Sequence, residues 1–268
     1  MRYSLSRKTR KLGILLFVIG VVFLSFAFTT EVHAADPSTS GLQAYWTFDE
    51  GTASTTSDSS GNGHTGSMNS NVQWATTSSM KIGSTAVFTG TINQYINTGS
   101  DFMGTDALTL SGWVYAKSGG GSSQGRVISN WQAAITIASS NRLSFTSNAA
   151  TTSALTATNA LPLNTWTHFV LTRDASGVSN WYINGVANGT ANQTSGTPAI
   201  TSTNVYIGNR PNGSATTAWD GYIDDLRVYN RVVSASEITD LYNAASSSPD
   251  LIAPARLNGL PTGQFVEG

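Results

Sequence analysis

From Gly41 to Tyr229, apolar and polar residues alternate in short runs, and clusters of Gly, Asn and Ser separate the runs. A period of two marks strands with one buried face, and many such strands with turn residues between them point to an all-β sandwich or jelly roll. The pattern predicts strands at 43–48, 85–89, 94–98, 107–116, 126–131, 133–138, 142–146, 165–173, 178–184, 186–190, 204–208 and 221–229. Asn184-Gly185 is the strongest turn signal, because a two-residue type I′ turn needs positive φ at both central positions. Ser118-Gly-Gly-Gly-Ser-Ser123 reads as a flexible loop.

A helical period occurs once in this part of the chain. Ser234 caps it, Glu237 completes a capping box three residues later, and Ile238, Leu241 and Tyr242 fall on one face that would lie against the sandwich. Beyond Tyr242, Ala244 to Pro249 is a linker. Residues 254–263 alternate again, either as the truncated opening of a further β module within 245–268 or as a disordered tail.

Residues 1–34 are of another kind. Five basic residues lie within the first eleven positions, Leu12 to Phe28 is an apolar run, and Val32-His-Ala34 precedes Ala35. That order fits a secretory signal peptide with a small-x-small cleavage site, or an uncleaved N-terminal anchor. Either reading puts the main domain, 41–244, outside the cytoplasm, secreted or at the cell surface. It leaves the membrane as a partner only through that first segment.

Charge narrows the partners. Residues 35–268 carry nine Lys/Arg against fourteen Asp/Glu, and none of the basic residues cluster. Nucleic acid, which needs clustered Lys and Arg, is excluded, and a polyanionic ligand is disfavoured. The charged fraction of 11% beside abundant Ser, Thr, Asn and Gly suits an exported β protein. The chain has no cysteine, so disulfides, thiolate catalysis and zinc–thiolate sites are absent.

Several segments, in order, carry a family likeness: Tyr45-Trp-Thr-Phe-Asp-Glu-Gly51 with Asp58-Ser-Ser-Gly-Asn-Gly63, Leu108-Thr-Leu-Ser-Gly-Trp-Val-Tyr115, Asn164-Thr-Trp-Thr-His-Phe-Val-Leu-Thr-Arg173, Trp181-Tyr-Ile-Asn-Gly185, Val205-Tyr-Ile-Gly208, and Gly221-Tyr-Ile-Asp-Asp-Leu-Arg-Val-Tyr-Asn-Arg231. Together they resemble the laminin-G-like (LamG-like jelly-roll) domains of the concanavalin A-like lectin/glucanase superfamily. The resemblance implies a two-sheet antiparallel jelly-roll sandwich with a short C-terminal helix. It also implies glycan or protein ligands, and a structural calcium (Ca2+) held by a carboxylate on the late strand, at Asp224.

On that strand, strict alternation puts Tyr222, Asp224, Leu226 and Val228 on one face and Ile223, Asp225, Arg227 and Tyr229 on the other. Asp224 among apolar neighbours needs a partner, and Asp225 either pairs with Arg227 or faces solvent. We extend the calcium site to Asp49 and Asp58. That extension requires residues 41–51 and 221–229 to be neighbours in one sheet. In the alternative, Asp49 caps a turn and Asp224 bonds backbone amides or an Arg.

Catalysis has little to stand on. A retaining glycosidase needs two carboxyl groups about 5–5.5 Å apart. The glutamates are Glu31, Glu50, Glu237 and Glu267, and no strand presents two alternate carboxylates. No Gly-x-Ser-x-Gly elbow accompanies His64 and His168, and His168 reads as a packed histidine. Trp46, Trp113, Trp166 and Trp181 sit in apolar strand patterns as core residues. Trp74, Trp131 and Trp219 lie at strand ends or in loops. Rings beside amides and Arg are suited to hold sugars, by stacking on C–H faces and bonding hydroxyls. The candidates are Asn130, Trp131, Asn209, Arg210 and Trp219, with packing under a loop as the competing fate of each.

The expected function is a non-catalytic extracellular recognition or adhesion module that binds glycan or a surface protein, one part of a longer chain with neighbouring domains. A carbohydrate-active enzyme of the same fold and a structural spacer are the alternatives.

Overall fold

The alternating runs form sixteen strands in the computed structural model, which describes residues 37–69, 71–75, 81, 83–104, 107–119, 124–147, 152–193, 203–211 and 213–244. In chain order they are β1 (Leu42–Trp46), β2 (Thr55–Thr56), β3 (Gly66–Met68), β4 (Gln73–Ala75), β5 (Thr85–Thr89), β6 (Ile96–Asn97), β7 (Leu108–Ala116), β8 (Arg126–Ser129), β9 (Ala133–Ala138), β10 (Arg142–Ser147), β11 (Ala154–Leu155), β12 (Trp166–Arg173), β13 (Val178–Ile183), β14 (Val186–Asn192), β15 (Tyr206–Ile207) and β16 (Asp220–Tyr229). One helix, α1 (Ala235–Ala244), follows. The expectations for residues 1–34 and 245–268, and for most of the loop at 118–123, concern segments outside the described residues. Among the described residues no helix is long and apolar enough to cross a membrane.

The strands pair antiparallel into two sheets. The first runs β14-β13-β12-β7-β16-β5-β4, with β1 also on β16, and the second runs β11-β10-β9-β8-β15-β6-β3-β2. Between them lies a core that includes Trp46, Phe48, Phe88, Ile96, Ile128, Ile135, Phe145, Phe169, Trp181 and Leu226, all fully buried. Burial of this apolar surface is the main stabilising term, roughly 1.5–3 kcal/mol for each large side chain. The architecture is the expected antiparallel jelly-roll sandwich. The β13–β14 hairpin turns at Asn184 and Gly185, with φ of 50° and 78°, as the type I′ reading requires.

The first and last strands are neighbours: Ala44 lies opposite Val228 and Trp46 opposite Leu226. Strict alternation on β16, however, does not hold. Along one edge β16 meets β5 from Asp220 to Ile223 and β1 from Leu226 onward. Where the partner changes, a bulge intervenes, and Asp225 takes a φ of 49°. One extra residue shifts the side-chain phase. Ile223, Leu226 and Val228 therefore all enter the core. Asp224 lies in register with Trp113, on the other face from Leu226 and Val228, which corrects the face assignment made from the sequence.

Helix α1 covers that outer face. Its Ile238 and Leu241 pack with Val170, Tyr229 and Val233. The capping box forms as expected: the Glu237 amide donates to Ser234 Oγ (3.3 Å), and the Ser234 amide donates to Glu237 Oε2 (2.7 Å). Arg231 adds an ion pair to Glu237, which holds that carboxyl down at about 2.

Candidate functional site

Three neighbouring strands of the second sheet build a polar floor. Arg126 of β8 lies opposite Thr136 of β9, and Thr136 lies opposite Ser144 of β10. Ile128, Ile135, Ile137, Leu143 and Phe145 point into the core, so the row Arg126–Thr136–Ser144 faces outward. The next outward row on β9 and β10 pairs Ala134 with Thr146. Above this floor is a cavity of about 470 Å³ lined by Gln124, Arg126, Thr136, Ile137, Ala138, Ser139, Ser144 and Thr146. A second cavity of about 150 Å³ shares Arg126 and Thr146 with it and is also lined by Asn130, Trp131 and Arg210. The two form one groove.

The sequence candidates separate here. Trp131 is 55% exposed, and the Arg210 guanidinium lies 4.3 Å from its ring centroid. The structure thus brings Trp131, Arg210 and Asn130 together. Asn130 acts through the turn that carries Trp131. Its Oδ1 accepts the amides of Gln132 (2.8 Å) and Ala133 (2.6 Å), while its Nδ2 donates to both Asp101 oxygens at 3.0 Å. With its side chain so occupied and only 4% exposed, it shapes the rim.

Two candidates are corrected by burial. Asn209 is fully buried: its Oδ1 accepts the Thr217 hydroxyl (3.0 Å) and its Nδ2 donates to the Ser214 carbonyl (3.4 Å), so it ties down its own loop. Trp219 is fully buried in the core and presents no face to a ligand. Its polar neighbours in sequence are misleading, because the Trp219 amide donates to the Gly208 carbonyl (2.8 Å) and draws the ring under the sheet.

Arg126 is the residue the sequence reading missed. It is half-buried and its Nε has no hydrogen-bond partner among the described residues. Burial and then the Arg210 charge hold it below the ordinary arginine value. Among the described residues no carboxylate lines either cavity. A signal did exist: positions 126, 136, 144 and 146 place polar residues on the outward phase of three consecutive strands.

The acidic candidates do not converge. Asp58 accepts the amides of Tyr45 (3.0 Å) and Ser60 (2.9 Å) at Oδ1 and of His64 (2.9 Å) at Oδ2. These bonds organise the turn and help lower its pKa. Asp224 is fully buried; its Oδ1 accepts the Asp225 amide (2.9 Å), and its negative charge works to raise the pKa of Lys81, which burial lowers. Asp225 pairs with Arg227 at 2.8 Å, as one of the two sequence readings had it, and Arg227 lies over the Tyr45 ring at 4.0 Å. Asp49 accepts the Ser84 amide (3.1 Å); burial, and then the Glu50 and Asp225 charges, push its pKa up. Among the described residues no three His, Asp or Glu side chains are grouped to hold a metal. As a shared ion site, Asp49, Asp58 and Asp224 do not fit.

On the outer face of the first sheet, under α1, His168 is fully buried. Its Nε2 lies 3.1 Å from Ser111 Oγ, and its ring packs near Trp113 (5.1 Å) and Tyr242 (5.8 Å). Burial first, then the charges of Arg227 and Lys81, push its pKa down to about 3. It is a packed neutral histidine.

Residues 88–239 match the family described as the concanavalin A-like lectin/glucanases superfamily. No curated protein matches the chain. Among solved structures, domain 4 of AbnA, a GH43 extracellular arabinanase from Geobacillus stearothermophilus, solved with arabinotriose, is similar at TM-score 0.55 and 22% identity, over 75% of this chain and 98% of that one. The binding domain of Paraclostridial Mosquitocidal Protein 1 is similar at TM-score 0.63 and 15% identity, over 77% of this chain and 52% of that one. The binding domain of Botulinum Neurotoxin DC, solved with SialylT, is similar at TM-score 0.53 and 14% identity, over 78% and 52%. The chain thus spans about half the length of the two toxin domains. At these identities the likeness concerns the fold.

Proposed function

Because the chain belongs to the concanavalin A-like lectin/glucanase superfamily, we propose that it is a non-catalytic, exported glycan-binding module, with the groove on β8–β10 as its site. The observation that carries the reading is the exposed Trp131, with Arg210 against its ring, at the end of a groove floored by Arg126, Thr136, Ser144 and Thr146. An aromatic face flanked by hydroxyls and guanidinium groups suits a sugar, whose C–H face stacks while its hydroxyls bond. Among its described lining residues the groove lacks the paired carboxyl groups that hydrolysis of a glycosidic bond requires, which favours binding over turnover. Similar folds solved with arabinotriose and with SialylT add support of an analogical kind. The pattern of residues 1–34 and the weakly charged polar composition support the exported part of the reading.

A glycan-array screen of the full chain tests this. Binding to a defined glycan set, lost in Trp131→Ala at unchanged melting temperature, is expected. Binding that survives Trp131→Ala would move the site elsewhere, and no binding at all would favour the spacer reading.

For calcium we propose a narrower site than the sequence suggested, at Asp49 and Glu50. Two carboxylates are adjacent there, and the Glu50 Oε2 is buried with no hydrogen-bond partner among the described residues. The Asp49 pKa is raised by burial first and then by the Glu50 and Asp225 charges, a repulsion that a cation would relieve. Melting in calcium and in chelator, with Asp49→Asn as the control, is the test.

A further inference from the structure

We infer that the groove on β8–β10 selects glycans that carry a carboxylate, such as a terminal uronic acid, through Arg126 and Arg210. The inference rests on the glycan-binding reading and names the ligand class of that same site.

Its basis is two unneutralised guanidinium groups at one place. Arg126 lines both cavities and Arg210 lines the smaller one. Neither forms an ion pair among the described residues. Arg126 Nε is buried without a hydrogen-bond acceptor among the described residues, and a buried donor left unpaired is costly. The two cations repel, since the Arg210 charge helps depress the Arg126 pKa. The nearby acid, Asp101, is occupied by Asn130 Nδ2 and by the Met103 amide at 3.0 Å.

A planar carboxylate is the anion a guanidinium fork matches, and it would fill the empty acceptor position while relieving the repulsion. Trp131 would meet the sugar ring beside it. The net negative charge of the chain argues against a long polyanion. It does not argue against one carboxylate entering a groove whose charged lining residues, among those described, are Arg126 and Arg210.

The test is calorimetric titration of the full chain with two trisaccharides that differ only in their terminal residue, glucuronate in one and glucose in the other. The glucuronate form is expected to bind at least tenfold tighter. That margin should shrink as sodium chloride is raised, a readout that needs no variant. Arg126→Gln and Arg210→Gln, with melting temperature checked first, should each lose the margin while keeping the weaker neutral binding. Equal binding of both trisaccharides would overturn the inference and leave the glycan reading standing. A margin that persists in the Arg126→Gln/Arg210→Gln double variant would overturn the assignment to these residues. No binding to either sugar, nor to any array glycan, would remove both.

Discussion

Acidification should destabilise the domain through His168, by an amount the structure sets. The side chain is fully buried, Lys81 and Arg227 oppose its protonation, and its pKa is pushed down to about 3. In the unfolded chain the ordinary value is 6.5. The folded value lies below the unfolded one, so between them the unfolded state binds the proton and the folded state does not. The stabilisation is therefore complete above the unfolded pKa and is lost as pH falls from about 6.5 towards 3. Between pH 7 and pH 4.5 the linkage amounts to about 2.5 kcal/mol, a large part of the 5–15 kcal/mol typical of a domain. Other groups titrate in the same range, so the informative quantity is a difference. Urea unfolding of the wild type and of His168→Gln, each at pH 7 and pH 4.5, should give a wild-type loss larger by about 2.5 kcal/mol. Parallel losses in the two proteins would show that His168 takes up its proton when folded, and would refute the account of its surroundings.

Three further outcomes follow from single contacts. Arg227→Met leaves Asp225 buried and charged without its 2.8 Å partner, and should cost about 3 kcal/mol in urea unfolding; a cost near zero would mean that water reaches the bulge. Gly208→Ala would drive a methyl group into the buried Phe88 ring at a φ of 88°, so the expected loss is about 3 kcal/mol or more, and a variant of normal stability would contradict the packing at the end of β15. Calcium in excess over chelator should raise the melting temperature by several degrees through the linkage of binding to folding, with Asp49→Asn insensitive; equal curves for the wild type would remove calcium from the account.

Much of the fold was legible in the sequence, since strands with one buried face declare themselves by alternation. β5 and β9 match their predicted limits, and α1 was marked by its capping box. β2, β3, β4 and β11 were not predicted, because two or three residues carry no period. The β16 faces were misassigned for a different reason. A bulge is a property of two partners meeting one edge, and Asp225 gives no local sign of it.

The site divides in the same way. Trp131 and Arg210 could be found from residue type, but Asn209 and Trp219 share that local chemistry and are buried by tertiary hydrogen bonds and packing. Arg126 was missed because its role comes from the register that lines it up with Thr136 and Ser144.

The central claim is that a glycan is held at Trp131, and nuclear magnetic resonance of the tryptophan indole N–H groups tests it most directly. Seven tryptophans give seven reporters. Titration with the best-binding array glycan should move the Trp131 signal in a saturable way, while the buried Trp46, Trp181 and Trp219 stay in place. A saturable shift at other indoles with Trp131 unmoved would contradict the account.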